Sequence, residues 1–266
     1  MFAMLDQIGY SSQLIFQLNR QELPLCWPQQ GDADMTLQSG LDLLERIQRP
    51  SVADTVFDEL HRQILKLDLP PGTKMSEIDV ARALGVSRQP VRDAFYRLSK
   101  LGFLTIRPQR ATTVSTISER AVMQARFIRM ALEVETARVA CEALTTADHE
   151  ALQTVLDRQE LAVKARDAEA FHLLDDQFHR EICERTGHGF SWDVIRENKS
   201  HMDRVRFLSL SFASEKAYTE HVAILAAIRA RNAPLAADMV RQHLSRILDQ
   251  IVRIRAENAP YFEDES

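Results

Sequence analysis

One aspartate and three histidines in the second half of the chain are residue types that could bind a metal ion together. Asp175 and His179 are four residues apart in a run with helical spacing of apolar residues, so their side chains leave the same face of one helix. His221 and His243 lie in two later runs with the same kind of spacing. One carboxylate and three imidazoles suit a borderline divalent cation such as Zn²⁺, Ni²⁺ or Mn²⁺, with coordination positions left open for a ligand.

A second interpretation of these histidines is structural. A histidine on a partly apolar helix face is usually a hydrogen-bonded core residue, and this chain contains eight histidines. His172 lies in the same run as His179 and could compete with Asp175 as a ligand. From the residues alone, a structural histidine cluster therefore remains an alternative to a metal site.

Helices must bring these residues together, because the chain after Ser118 has long helical periods and hardly any strand signal. Capping residues and glycine or proline breaks divide this part into successive helices. Roughly six or seven antiparallel helices would form an all-α bundle, and bundle cores are common places for ligand and metal sites. The predicted helices cover about residues 119–144, 146–165, 167–185, 190–210, 214–230 and 234–257.

Residues 75–98, MSEIDVARALGVSRQPVRDAFYRL, predict two short helices joined by a tight turn at Gly85, which can adopt a left-handed cap conformation. Arg88, Gln89 and Arg92 fall outside the apolar stripe of the second helix. Arginine and glutamine at an exposed helix start suit phosphates and base edges in a major groove. A solvated basic helix end would have the same composition, so this stretch alone leaves DNA binding and an ordinary surface equally open.

Two further elements complete a winged helix-turn-helix. A helix with an apolar stripe is predicted over residues 51–67, ahead of the two short helices. Two extended runs, residues 104–106 and 112–115, follow the short helices and are separated by Arg107-Pro108-Gln109-Arg110, which predicts a β-hairpin with a basic tip. A recognition helix followed by a basic wing favours DNA binding over the ordinary surface. The expected fold class is therefore mainly α, with one small β-hairpin.

The composition fits two packed domains that differ in charge. The chain has 266 residues, of which 45% are apolar and 27% charged, and its net charge is −5. Residues 51–116 carry ten basic and seven acidic side chains, whereas residues 1–50 carry three and six, and residues 117–266 carry 20 and 25. Positive charge is therefore confined to the winged helix-turn-helix, which favours a modular DNA binder over a general polyanion binder.

The sequence also indicates a compartment. The sequence has no run of about 18 apolar residues, so no membrane span is predicted. It has no basic region ahead of an apolar stretch, so a secretory signal is not expected. The three cysteines, Cys26, Cys141 and Cys183, form no CxxC pair, so a reducing cytoplasm is expected. Residues 1–50 lack steady periodicity and are expected to be poorly ordered. This extension is either a specific addition or the result of a misassigned start codon, with Met35 as the favoured start.

Three motifs of the winged region carry a family resemblance. They are the run Leu69-Pro70-Pro71-Gly72-Thr73, the pair Ser76-Glu77 and the stretch GVSRQPVRDAFYRLSKLGFL. Together they resemble the DNA-binding domain of the GntR family of bacterial transcription regulators. By this resemblance, the DNA contacts would come from Ser87, Arg88, Gln89, Arg92 and Arg110. Gln89 stands where the family most often has Thr, Asp93 stands where it usually has Glu, and the wing tip lacks the usual Gly, so the operator sequence stays open.

The bundle carries a second resemblance. Asp175-x-x-x-His179, Glu220-His221 and Gln242-His243-Leu244 resemble the FCD class of ligand-binding domains in the FadR-like branch of that family. The resemblance implies a metal ion held by Asp175, His179, His221 and His243, with a small carboxylate bound beside it. Arg129 resembles the arginine that lies near the ligand in several relatives, and Arg126 and Arg206 are further candidates because each is a basic residue in a mostly apolar helix.

These features predict a transcription regulator rather than an enzyme: a cytoplasmic homodimer that binds a palindromic DNA operator. A repressor is the working assignment, but the sequence leaves repression and activation both open. A small carboxylate at the metal site would shift the equilibrium between DNA-competent and DNA-incompetent arrangements. A metal-dependent hydrolase or lyase in a helical bundle and a direct metal sensor remain alternatives. The predicted divisions are an N-terminal extension (1–50), the winged DNA-binding domain (51–116), the effector- and metal-binding domain (117–258) and a C-terminal tail (259–266).

Overall fold

The N-terminal part of the described chain is a winged helix-turn-helix, as predicted. The structure is a computed structural model, and it describes residues 50–107 and 110–263. Its first elements are helices α1 (Val52–Leu65), α2 (Glu77–Leu84) and α3 (Arg88–Lys100) and strands β1 (Lys74–Met75), β2 (Leu104–Thr105) and β3 (Thr112–Val114). The prediction for residues 1–50 lies outside the described residues, except for Pro50.

The core of the winged domain is formed by the predicted apolar stripes of α1 and α3. Gly85, at φ +65°, ends α2 in the left-handed region and lets the chain turn into α3. The stripe of α1 therefore packs against the buried face of α3, which leaves the start of α3 exposed. The buried residues of the two stripes are Val56, Leu60, Ile64, Val91, Ala94, Phe95 and Leu98.

The wing is a three-stranded sheet in the order β1-β3-β2. The predicted hairpin is present: β2 and β3 pair antiparallel, with Leu104 opposite Val114 and Thr105 opposite Thr113. The added strand β1 places Lys74 opposite Thr113. The sequence did not predict β1, because a strand of two residues carries no alternation signal. Side chains of residues paired across neighbouring strands lie on the same face of the sheet. Lys74, Thr105 and Thr113 therefore form one row on the outer face, whereas Leu104 and Val114 are buried on the face towards the domain core.

The second part of the described chain contains seven α-helices, which agrees with the predicted number of six or seven. They are α4 (Glu119–Ala143), α5 (Thr146–Ala165), α6 (Ala168–Arg185), α7 (Gly189–Asn198), α8 (Ser200–Arg229), α9 (Ala233–Ser245) and α10 (Ile247–Glu257). The limits of α4, α5 and α6 agree with the prediction, because caps and breaks in the local sequence define them. No helix of the described residues is long and apolar enough to cross a membrane.

The longest helix, α8, differs from the prediction. It runs unbroken over Ser200–Arg229, so the predicted break between residues 210 and 214 is wrong. That segment contains neither glycine nor proline. The break lies instead at Lys199, where the buried ammonium binds the carboxylates of Asp176 and Asp203. The ion pair with Asp176 on α6 holds Lys199 at the junction of α7 and α8.

The last predicted helix, residues 234–257, is divided into α9 and α10 at Arg246. The Arg246 guanidinium donates to Glu220 Oε2 at 2.6 Å and to the Ala213 carbonyl oxygen at 3.3 Å, both on α8. This break carries no glycine or proline signal, so the helical pattern of the sequence continued across it. The division turns the Arg246 side chain towards α8.

The first turns of α8 connect the bundle to the winged domain. A ring nitrogen of His201 lies 2.8 Å from the Leu101 carbonyl oxygen, just after α3, and the His201 ring stacks on Phe103 at 4.4 Å between centroids. Arg204 donates to the Ser115 carbonyl oxygen in the segment that joins the two parts. One helix therefore contacts both the end of the recognition helix and the connecting segment.

The last described residues pair with the same connecting segment. The Ile117 N–H donates to the Tyr261 carbonyl oxygen at 2.7 Å, and the Glu263 N–H donates to the Ile117 carbonyl oxygen at 3.1 Å. Phe262 between them is buried. Residues 259–263, which the prediction assigns to a C-terminal tail, thus pack onto the start of the bundle.

Candidate metal centre and nucleic-acid interface

The structure brings together the four residues that the sequence predicts as metal ligands. Asp175 and His179 lie on α6, His221 on α8 and His243 on α9, and one ligand atom of each lies within 4.8 Å of the others. His221 Nε2 is 3.3 Å from His243 Nε2 and 3.6 Å from Asp175 Oδ1. Ligand atoms around a tetrahedral zinc ion are roughly 3.4 Å apart, so the spacing fits a small divalent cation.

Each imidazole is held through its Nδ1 atom by an acceptor on a neighbouring helix. The three contacts are His179 to Glu133 Oε2 at 2.7 Å, His221 to Gln159 Oε1 at 2.9 Å and His243 to Glu220 Oε2 at 2.9 Å. A carboxylate can only accept, and the Gln159 amide already donates its N–H to the Leu174 carbonyl oxygen. Each ring therefore carries a proton on Nδ1, which leaves Nε2 as the nitrogen that faces the common centre, as in metal-binding histidines.

The inward-facing nitrogens have no adequate partner in the described part of the chain. His179 Nε2 is buried and makes no hydrogen bond there. The Nε2 atoms of His221 and His243 face each other, and two lone pairs cannot form a hydrogen bond. Buried polar atoms are almost always satisfied in folded proteins. A cation at the common centre would satisfy all three nitrogens, so the donor set fits a divalent metal.

Electrostatics favour the metal-binding protonation states. Burial would raise the pKa of Asp175, but the Arg206 guanidinium beside it holds that pKa well below its usual range. Burial and the neighbouring His243 hold the pKa of His221 well below its usual range. Burial also lowers the pKa of His243. An ionised Asp175 and neutral His221 and His243 rings bind a cation without first releasing a proton.

Three arginines support the site from outside. Their ion pairs are Arg129 with Glu133, Arg206 with Asp175 and Arg246 with Glu220. The same three arginines line a cavity of about 40 Å³ beside Asp175 and His243. This volume holds about one or two water molecules, so a larger ligand would have to displace side chains that line the cavity.

The cavity includes two of the three arginines that the sequence predicts as effector contacts. Arg129 and Arg206 line it, whereas Arg126 does not belong to its described lining. The Arg126 guanidinium donates to Ser245 Oγ at 2.9 Å instead. Arg246 lines the cavity and was not predicted, because the sequence pattern placed it inside a continuous helix.

The sequence also did not predict the hydrogen-bond acceptors that orient the three histidines. Glu133 and Glu220 had a local signal, since Glu133 follows Arg129 by one helical turn and Glu220 directly precedes His221. Gln159 had no such signal. It contacts His221 across 62 positions of sequence, a relationship that only the packing of α5 against α8 creates.

His172 lies outside the four-residue set. Its side chain forms a second group with Asp176 and Asp203, whose possible ligand atoms also lie within 4.8 Å. The Lys199 ammonium binds those two carboxylates at 2.7 and 2.5 Å. The Arg206 guanidinium also contacts both carboxylates, so two protein cations already balance the charge of this group. Asp175 rather than His172 joins the three converging imidazoles.

The five residues predicted to contact DNA are all exposed on the winged domain. Four lie at or just before the start of α3 and one follows the wing tip: Ser87, Arg88, Gln89, Arg92 and Arg110. Arg88 and Arg92 both approach Glu77 Oε2, at 3.5 and 3.6 Å. The Gln89 amide donates to Asp93 Oδ1 at 3.0 Å. The start of α3 is thus accessible and polar, with part of its positive charge balanced by Glu77.

Two family models match this chain. Residues 52–114 match the model described as bacterial regulatory proteins, gntR family, and residues 124–246 match the FCD domain. The HTH-type transcriptional repressor RspR of Escherichia coli (strain K12) is 34% identical over 216 residues, which cover 80% of this chain and 95% of the relative.

Solved structures share the fold. Escherichia coli McbR/YncC aligns with a TM-score of 0.60 at 25% identity, covering 79% of this chain and 99% of that chain. A GntR transcriptional regulator from Rhodococcus sp. RHA1 aligns with a TM-score of 0.64 at 20% identity, covering 76% of this chain and 97% of that chain. The alignments extend over both the winged domain and the helical bundle.

Proposed function

The chain belongs to the GntR family of bacterial regulatory proteins and carries an FCD domain, and on this premise we propose that a small carboxylate bound at a metal ion controls its binding to an operator. The general function, DNA-binding transcription regulation, follows from the family. In the proposal, residues 51–116 bind DNA, whereas residues 117–258 bind the metal and the effector.

The observation that carries the proposal is the convergence of three Nε2 lone pairs and one carboxylate in a buried site. Asp175, His179, His221 and His243 would hold the ion, which would be Zn²⁺, Ni²⁺ or Mn²⁺ by its mixed nitrogen and oxygen ligands. Such an ion supplies a positive charge and open coordination positions for an oxygen ligand. Four protein ligands leave room for a carboxylate when the ion is five- or six-coordinate.

Charge supports an anionic effector. The connected ion pairs around the cavity contain four basic and five acidic side chains, so a divalent ion would change their combined charge from −1 to +1. The basic side chains are Arg129, Lys199, Arg206 and Arg246, and the acidic ones are Glu133, Asp175, Asp176, Asp203 and Glu220. A small carboxylate would complete the charge balance and could accept hydrogen bonds from the arginines that line the cavity.

The path from the site to the DNA-binding part would follow α8. This helix carries the ligand His221, the site arginine Arg206 and the contacts of His201 and Arg204 with the winged domain and its connector. A ligand that moves Arg206 away from Asp175 would shift the first turns of α8. A shift of those turns changes the contacts that orient the recognition helix, which is how binding at one site could alter affinity at the other.

Dimerisation and repression complete the proposal. Winged helix-turn-helix regulators that bind palindromic operators do so as two-fold symmetric dimers, and we assign this arrangement to the chain. The relative RspR is named a repressor, which supports the same output here. The matched families are regulators rather than enzymes, so the hydrolase or lyase alternative has no support from them.

The test combines metal analysis with DNA titration. The full chain would be purified, its metal content measured, and its binding to the DNA upstream of its own gene titrated with and without small carboxylates. We expect about one divalent ion per chain and a carboxylate that changes DNA affinity by about 5- to 150-fold, the usual range of allosteric coupling.

Two variants sharpen the test. His179→Ala should lose the metal and the carboxylate response while retaining DNA binding, whereas His149→Ala, on α5 outside the site, should retain all three. A change in DNA affinity on adding metal alone would favour direct metal sensing. Absence of any stoichiometric metal in the wild type would return the four residues to a structural cluster, and absence of sequence-specific DNA binding would contradict the regulator itself.

A further inference from the structure

Two histidines pack against Phe103 where the winged domain meets the bundle. His61 belongs to α1, and its ring packs at 67° to the Phe103 ring, with 5.0 Å between centroids. His201 belongs to the first turn of α8, and its ring stacks on Phe103 at 4.4 Å. Phe103 itself is a buried member of the winged-domain core. One histidine from each domain therefore takes part in the contact between the two domains.

The contact favours the neutral form of His201. Its Nε2 atom lies 2.8 Å from the Leu101 carbonyl oxygen, which can only accept, so Nε2 carries the proton. Its Nδ1 atom is buried and has no hydrogen-bond partner among the described residues. A second proton would place an N–H donor and a positive charge on Nδ1 with nothing to accept them. The Phe103 face attracts a cation, but it does not supply the acceptor that a buried N–H group requires.

The surroundings of His61 have the same effect. Its Nε2 atom is buried and also lacks a hydrogen-bond partner in the part of the chain that the structure describes. The Phe57 ring stacks on the imidazole at 5.4 Å, so two phenyl rings border it. A neutral ring can carry its proton on Nδ1 and leave a lone pair on Nε2, whereas an imidazolium carries N–H groups on both nitrogens. Protonation of His61 in this arrangement therefore also creates a buried donor without an acceptor.

The charged groups near His61 do not reverse this preference. Asp203 on α8 and Asp58 on α1 favour the imidazolium, whereas His201 and Lys199 on α8 oppose it. Asp203 is already bound by the Lys199 ammonium, so it is not a free counter-ion. Burial is the largest effect, and it lowers the pKa of His61.

The groups near His201 act in the same balance. The hydrogen bond to Leu101 and the Glu263 carboxylate favour the imidazolium, whereas Arg204 on the same helix opposes it. Burial again outweighs these effects and lowers the pKa of His201. Both histidines therefore resist protonation as long as the two domains are in contact.

We propose that His61 and His201 make the contact between the two domains proton-sensitive: the neutral rings hold the winged domain on the bundle, and protonation releases it. Neither histidine is one of the four predicted metal ligands. This regulation needs neither the metal ion nor a carboxylate, so it goes beyond the proposed function. It acts at the same junction, because His201 contacts the end of the recognition helix directly.

The direction of the pH dependence follows from where the protons bind. Once released into water, each ring has the ordinary histidine pKa of about 6.5. The stabilisation of the contact is therefore fully present above about pH 6.5 and decreases below it, because the released form takes up protons that the docked form does not. At pH 5.5 each histidine weakens docking by up to about tenfold, and the two together by up to about 100-fold.

Hydrogen–deuterium exchange of the full-length protein at pH 7.5 and pH 5.5 tests the proposal. The segments of interest are residues 99–104 and 199–207, and residues 146–158 of α5 serve as the reference. Exchange rates are corrected for the pH dependence of chemical exchange. In the wild type we expect protection of the two interface segments to fall at pH 5.5, by about threefold or more, while the reference segment retains its protection.

Matched variants identify the groups that take up the protons. His61→Phe keeps an aromatic ring between Phe57 and Phe103, and His201→Gln keeps an N–H donor for the Leu101 carbonyl oxygen. The double variant, compared with itself at the two pH values, should lose the pH response. His149→Gln is the control, because His149 lies on α5 and also has a buried Nε2 without a partner among the described residues. It should respond to pH as the wild type does.

The outcomes decide for or against the two histidines. Unchanged protection of the interface segments in the wild type would overturn the proposal, and this result needs no variant. An equal fall in the wild type and the double variant would also overturn it, because other groups would then take up the protons. All the variants retain the four predicted metal ligands, so loss of a metal ion at pH 5.5 would affect them and the wild type alike. A fall in the wild type and in His149→Gln that is absent from the double variant supports the proposal.

Discussion

Arg204 of α8 is buried, and its guanidinium donates to the backbone carbonyl oxygens of Ser115 at 2.8 Å and Thr116 at 3.4 Å. Burial lowers the pKa of Arg204 to about 10, so the side chain is still charged at neutral pH. Two residues later on the same helix, Arg206 binds Asp175. One turn of α8 therefore contacts both the connecting segment between the two domains and Asp175, a predicted metal ligand.

Arg204→Met should uncouple the two parts of the protein. The substitution keeps an unbranched side chain but removes the bonds to the connector, so movement of α8 would no longer be transmitted through it. We expect metal content to stay at the wild-type level, while the effect of the active carboxylate on DNA affinity falls from about 5- to 150-fold towards none. Arg196→Met on α7 is the control, and an undiminished carboxylate effect in Arg204→Met would exclude this route.

Glu220→Gln should weaken metal binding without removing a ligand. The Glu220 carboxylate accepts from His243 Nδ1 and also from Arg246, so its replacement loosens the orientation of the imidazole. Loss of such supporting groups typically costs about 10- to 100-fold in metal affinity. Competition with a metal-binding dye measures the change, and Glu215→Gln, an exposed position on the same helix, is the control. Equal affinities for wild type and Glu220→Gln would mean that His243 does not depend on this bond.

Metal binding should stabilise the fold. A ligand present at a hundred times its Kd and bound only by the native state contributes about 2.7 kcal/mol to the free energy of unfolding. Thermal melting of the metal-loaded protein should therefore occur at a higher temperature than melting after treatment with a chelator. His243→Ala should melt at the same temperature in both conditions. A metal-dependent shift that persists in His243→Ala would place the ion elsewhere.

Arg92→Ala should reduce operator binding and leave the fold intact. The Arg92 side chain is 58% exposed and touches only Glu77 among the described acidic residues, so its removal costs little folding energy. A lost contact to a base edge costs about 1–3 kcal/mol of binding free energy, which a gel-shift titration detects. Arg62→Ala on α1 serves as the charge-matched control. A lower melting temperature in Arg92→Ala would show that this face is structural.

Leu60→Ala should abolish DNA binding indirectly. Leu60 is buried between α1 and α3, and large-to-small core substitutions cost about 2–5 kcal/mol. Val52→Ala on the same helix removes an exposed side chain and should change the free energy of unfolding by no more than about 0.5 kcal/mol. Urea unfolding of both variants measures the difference. Wild-type stability in Leu60→Ala would contradict the assigned core.

Local patterns in the sequence were sufficient for much of the fold. The stripe of α1, the turn at Gly85 and the limits of α4, α5 and α6 depend on residues within one or two helical turns of each other. The identity of the four converging residues was also predictable. Asp175 and His179 share a helix face by their spacing, His221 and His243 lie in later runs with helical spacing, and the resemblance to the FCD class favoured these four as one metal-binding set.

Tertiary structure decided the rest of the site. Gln159 reaches His221 across 62 positions, and Arg246 reaches Glu220 across 26, so no local pattern could relate them. Lys199, at the junction of α7 and α8, binds Asp176 on α6, a contact that no local pattern predicts. By itself, the sequence determined which residues could bind a metal and which helix could contact DNA. Only the packing of distant helices determined which nitrogen of each histidine faces the centre and which arginines surround it, because those contacts form between residues far apart in the chain.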